Sequence, residues 1–152
     1  MEKVYASRKI DIFQAMAHLQ KAAKELGLPW GERKNTYNSR LAQELGKWAE
    51  TKGKGDEFHN AVFRAYFVDS KNISNTDVLV DLVKAVGLPE KEAREALQTR
   101  AFREAVDSDW ALAHRRGISA VPTFVLDHQV VVGAQPYELL EQFLLNSGVK
   151  RK

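Results

Sequence analysis

Only one stretch of this chain reads as β-structure, and its two short strands are apolar on both faces. TFVLD (123–127) is β-branched and aromatic and follows Val121-Pro122. VVV (130–132) forms the second strand, Asp127-His128-Gln129 the tight connection, and Gly133 the end. Phe124, Val125, Leu126, Val130, Val131 and Val132 leave almost no polar face, the pattern of a sheet covered on both sides. An isolated two-stranded hairpin is marginal in water. Upstream, only MEKVYAS offers strand material, and it is short and polar. Either helices cover the pair completely or strands come from another chain. Exposed edges and apolar faces are both costly, which tips the expectation towards the second.

Everything before Ile118 carries helical periodicity. Phe13, Met16, Leu19, Ala23 and Leu26 recur at spacings of three and four, predicting a helix over 11–26 capped by Asp11 and stopped by Gly27. Tyr37, Leu41, Leu45 and Trp48 form the stripe of a second helix ending at Ala49. TKGKGD (51–56) is a turn, and Asp56 caps a helix with Phe58, Val62, Ala65 and Tyr66 inward. The run AVFRAYF within it is apolar on more than one face and is expected to be well buried. Ser74 to Asp77 resembles a capping box ahead of Leu79, Leu82, Val83 and Val86. Pro89 opens a helix over 90–97. Another is expected over 100–116, with Phe102, Val106, Trp110 and Ala113 on its apolar side. After the hairpin, Gln135-Pro136 open a last helix with Leu139, Leu140, Phe143 and Leu144 buried.

Composition narrows the chemistry. The 152 residues contain no cysteine, which excludes a disulfide scaffold, a Cys-ligated metal or cluster, and any thiol mechanism carried out by this chain alone. Lys and Arg total 23 against 20 Asp and Glu, a net charge of +3, and no basic stripe or recognition motif points to nucleic acid. No apolar run approaches the ~18 residues of a membrane helix, and the start lacks the apolar stretch of a secretory signal. A cytoplasmic protein is expected, with no membrane partner.

The segment GISAVPTFVLDHQVVVGAQPYELLEQFL (117–144) resembles the C-terminal end of DsbA-like thioredoxin-fold proteins, most closely the FrnE-type branch. Relatives of that branch are the 2-hydroxychromene-2-carboxylate isomerases and kappa-class glutathione transferases. The resemblance rests on Gly117, Ile118, Val121, Pro122 and Phe124, then Gly133, Ala134, Gln135 and Pro136. Leu26-Gly27-Leu28-Pro29, Asn35-Thr36, Leu45 to Ala49 and Phe63 to Phe67 are similar to the family's inserted helical domain. The fold implied is α/β and mostly helical: a truncated thioredoxin-like fold, with a helical insertion domain over 10–116 and a remnant over 117–148 of proline loop, hairpin and helix. In that family a strand and a Cys-x-x-Cys helix precede the insertion. On the resemblance this chain begins after them.

Candidate chemistry is sparse. The resemblance implies a cis bond before Pro122 and a ligand-binding loop at Ala120, Val121 and Pro122. His18, His59, His114 and His128 lack the close spacing of a helical metal pair and read as surface or packing residues. Ser119 has no neighbouring His to activate it. Asn35, Thr36, Asn38 and Arg40 cluster at a helix start, where capping explains them most simply, although the resemblance to the isomerases implies polar residues near here around a substrate. No catalytic residue, metal ligand or cofactor is assigned. The expected function is that of a truncated DsbA/FrnE-like protein without redox cysteines, binding a peptide or small ligand and self-associating as a dimer that completes or covers the sheet. The alternatives are a glutathione-dependent isomerase or transferase, with glutathione as its cofactor, and a helical interaction module or fragment of a larger oxidoreductase.

Overall fold

Helices occupy most of the chain because its apolar residues recur with the helical period. The computed structural model describes residues 12–32 and 35–150. Its elements are α1 (Ile12–Glu25), α2 (Arg40–Thr51), α3 (Gly55–Phe67), α4 (Thr76–Ala85), α5 (Glu90–Thr99), α6 (Arg103–Arg115), β1 (Thr123–Leu126), β2 (Gln129–Val132) and α7 (Tyr137–Asn146). This is the mostly helical architecture with a C-terminal hairpin that the sequence predicts. Two compact units divide after Glu104, inside α6. MEKVYAS, Asp11, the side chain of Phe13 and the tail Arg151-Lys152 lie outside the described residues.

In the first unit the core forms around α2. Ala42, Leu45, Trp48 and Ala49 pack with Phe58 and Ala65 of α3, Leu79, Val80 and Val83 of α4, and Ala93 and Leu97 of α5. These side chains leave water almost completely, at roughly 25 cal/mol per Å² of apolar surface. Gly46 sits mid-helix, where glycine normally costs about 1 kcal/mol. A Cβ there would stand 2.5 Å from His59 Nε2, so the bare backbone is what lets α3 press its imidazole against α2.

Several local expectations are corrected. The cap of α4 is Asn75, whose side chain accepts from the amides of Asp77 at 2.8 Å and Val78 at 3.5 Å. Ser74 is engaged elsewhere, with its amide and hydroxyl both donating to Asn72 Oδ1. α3 begins after Lys54, without the Asp56 side-chain cap. Arg100 adopts a left-handed φ of +54° and ends α5, so the following helix starts only at Arg103. Phe63 is exposed within the AVFRAYF run. Leu19 and Leu26 face outward as well, lining an open apolar groove with Trp30, Phe63 and Phe67.

The second unit carries the hairpin. β1 pairs antiparallel with β2, joining Thr123 to Val132, Phe124 to Val131, Val125 to Val130 and Leu126 to Gln129. The connection is Asp127-His128, with Asp127 at a φ of +52°, a conformation its short polar side chain tolerates. Gln129 thus belongs to the strand rather than the turn. Val125, Val130 and Val132 share one face of the pleat and are 46%, 53% and 51% exposed. In α7 no residue is buried, against the expectation for Leu139 and Leu144, and Trp110 of α6 is also exposed. A unit this short, with one hairpin for a sheet, has too little chain to enclose its own apolar side chains.

Candidate functional site

The loop before β1 is fastened on both sides of a single free residue. The Val121–Pro122 peptide bond is cis. Ala120 O accepts from Thr123 Oγ1 at 2.6 Å. Pro122 O accepts from the Gly133 amide at 2.8 Å, across the mouth of the hairpin. Between these anchors Val121 is 90% exposed. Neither its N–H nor its C=O has a hydrogen-bond partner among the described residues. A fixed loop thus displays one donor and one acceptor beside a strand start, which is the geometry needed to pair with an extended backbone.

Asn35, Asn38 and Arg40 turn to different partners. Asn38 Oδ1 accepts from the Arg40 amide at 2.8 Å and so opens α2. Asn35 Nδ2 reaches Tyr37 Oη at 3.5 Å. Arg40 turns instead to Glu44, its Nε donating to Oε1 at 2.6 Å. Arg100 meets the same carboxylate with both arms, Nε on Oε2 and Nη2 on Oε1, each at 2.6 Å. Arg40 Nη2 also donates to the carbonyl of Arg103 at 2.9 Å. Glu44 is only 3% exposed. Its pKa is pulled down to about 2, first by the hydrogen bonds from Arg100, with burial opposing and Arg40 assisting. This trio is a clamp joining α2, the end of α5 and the start of α6. The left-handed conformation of Arg100 is costly for a residue with a side chain, and the paired, charge-assisted bonds offset it.

No group of three potential ligands is placed to hold a metal among the described residues. His59 differs from the other histidines. It is half-buried, packed on Gly46, and without a hydrogen-bond partner among the described residues. Sequence reasoning gave it no special role. The signal available was Gly46, since a glycine in a helix interior points to a close approach.

Comparison with known proteins bears on the family and the fold. The family model described as DSBA-like thioredoxin domain matches residues 6–145. The YwbO protein of Bacillus subtilis is 31% identical over 112 residues, covering 73% of this chain, and the chain's match spans 56% of that protein's length. A crystal structure of a "probable DsbA oxidoreductase" from Streptomyces coelicolor superimposes with a TM-score of 0.79 at 28% identity, over 98% of this chain and 67% of that one. A 2-hydroxychromene-2-carboxylate isomerase shares the fold, with a TM-score of 0.75 at 20% identity, over 92% of this chain and 71% of that one.

Proposed function

Because the chain belongs to the DSBA-like thioredoxin domain family, we propose that it acts as a binding member of that family, holding an extended peptide backbone at Ala120, Val121 and Pro122. The observation that carries this is Val121: exposed, fixed on both sides, and with its backbone donor and acceptor free among the described residues. Thiol–disulfide exchange needs a thiolate as nucleophile, and this chain contains no cysteine. Such chemistry therefore requires cysteines from another polypeptide segment. Reduced glutathione presents a peptide-like backbone of the same chemistry and is the natural small-molecule competitor for the loop.

The test is amide chemical-shift mapping of the isotope-labelled chain, titrated with a short uncharged peptide and separately with reduced glutathione. Ala120, Val121 and Thr123 are expected to move together, with dissociation constants in the millimolar range. Binding that leaves these amides still would sink the reading.

Self-association belongs to the same proposal. Both hairpin edges are open among the described residues, and the Val125–Val130–Val132 face is apolar and exposed. A second copy that pairs or covers the hairpin removes both liabilities. Light scattering after size exclusion is expected to give twice the chain mass, and Val130→Lys to return it to one. A monodisperse wild-type monomer at high concentration would reject the dimer.

A further inference from the structure

The clamp on Glu44 leaves a positively charged surface above it. Arg40 and Arg100 share a single carboxylate, two positive charges against one negative. Glu44 is buried beneath them, whereas the Arg100 side chain reaches solvent at 42% exposure. Both arginines line a pocket of about 310 Å³, together with Asn38, Leu41 and Ser74. That volume stands at the lower end of the roughly 300–1,000 Å³ of small-molecule sites. No Asp or Glu lines the pocket, and α3 contributes nothing to its wall. All five residues belong to the first unit.

We propose that this pocket binds a phosphate group, either the free ion or the terminal group of a phosphomonoester. Three observations point to that class. First, the excess positive charge is fixed in place. Arg100 is held by two bonds to Glu44, and Arg40 by Glu44 and the Arg103 carbonyl. Guanidinium groups oriented in advance favour an oxyanion at little cost in ordering. Second, Asn38 Oδ1 is engaged by the Arg40 amide, and its Nδ2 has no hydrogen-bond partner among the described residues. The side chain is therefore set to donate at the pocket wall. Third, α2 has no acidic residue in its first turn, and the Leu41 amide there has no partner among the described residues. The partial positive charge of the helix start adds to that of the arginines.

The arrangement separates phosphate from carboxylate. Its donors come from α2, from the end of α5 and from the segment before α2. A tetrahedral dianion can meet several such directions at once. A carboxylate has two oxygens in one plane, and a single guanidinium fork already engages both, as Arg100 does on Glu44. None of these residues belongs to the Ala120–Pro122 loop, so this inference does not rest on the peptide reading.

The test titrates the full isotope-labelled chain with inorganic phosphate, against sodium chloride at equal ionic strength, and follows amide shifts. Saturable shifts are expected at Asn38 to Ala42, Ser74 and Arg100, with a dissociation constant of about 1–5 mM. Acetate is expected to bind at least about fivefold more weakly. Phenyl phosphate separates the two sources: binding assigns the pocket to phosphomonoesters, and exclusion assigns it to the free ion. Arg100→Gln is expected to weaken phosphate at least about tenfold. Because that change also loosens the clamp, Ser74→Glu is the second variant. It keeps all three clamp residues, places a carboxylate in the pocket, and is expected to abolish the saturable shifts while the rest of the amide spectrum stays native. Phosphate shifts spread over surface lysines, acetate binding as tightly as phosphate, or undiminished phosphate binding by Ser74→Glu would each overturn the proposal.

Discussion

Glu44→Gln is expected to lower the unfolding free energy by about 3 kcal/mol at neutral pH, measured by urea titration. Two guanidinium groups converge on this one buried carboxylate. Removing its charge leaves Arg40 and Arg100 facing each other with a weaker acceptor, and breaking a buried ion pair from one side costs about 3–5 kcal/mol. The lower end applies because the Arg100 side chain is 42% exposed and so partly hydrated already. The pH dependence carries the same signature. Folding moves the Glu44 pKa from its ordinary 4.5 down to about 2. The folded state therefore binds the proton less readily than the unfolded one. The stability contributed, of the order of 3 kcal/mol, is fully present above about pH 5 and is lost as pH falls towards 2. Wild type is expected to lose stability over that window faster than Glu44→Gln, and the two curves to converge near its lower end. Parallel curves would mean that the clamp is not a source of stability.

Gly31→Ala is the second large effect, expected at about 3 kcal/mol or more. Gly31 donates its amide to Phe67 O at 2.9 Å, at the C-terminal end of α3. A Cβ at Gly31 would overlap the Val68 carbonyl oxygen and come within 2.8 Å of the carbonyl carbon. Backbone atoms, unlike a flexible side-chain tip, have no rotamer by which to withdraw. The strand of contacts from Trp30 to Phe67, with ring centroids 5.6 Å apart, must open instead. Urea unfolding reads the loss of stability. A red shift of tryptophan emission in the native baseline is expected to report the parting of Trp30 from Phe67.

The helices were legible because a period near 3.6 survives in local sequence, as in Leu41, Leu45 and Trp48. The hairpin was legible from its β-branched run, with an error of one residue at the turn. Burial was less so. Trp110, Leu139 and Leu144 look like core residues by spacing, yet exposure depends on what the rest of the fold brings to cover them. The clamp was half-visible: Arg40 and Glu44 stand four apart on one helix face, but Arg100 lies 56 residues further on and meets Glu44 only through the packing of α5 on α2. At the candidate site, resemblance singled out Ala120, Val121 and Pro122. The anchoring bonds from Thr123 and Gly133 that leave Val121 free arise only once the loop is folded against the hairpin. His59 was passed over because an isolated histidine carries no pattern of its own.

The brevity of β1 and β2 has a consequence for solubility. An open, apolar strand edge is a template on which unfolded or foreign chains stack into fibrils. Each strand here is four residues long. An intruding strand finds only a few outward-facing backbone groups on either edge, too few to hold it by main-chain bonding alone. Durable pairing must also recruit the valine face, and so demands a complementary surface rather than any extended segment. A longer hairpin of the same composition would be indiscriminate; this one is short enough to be selective.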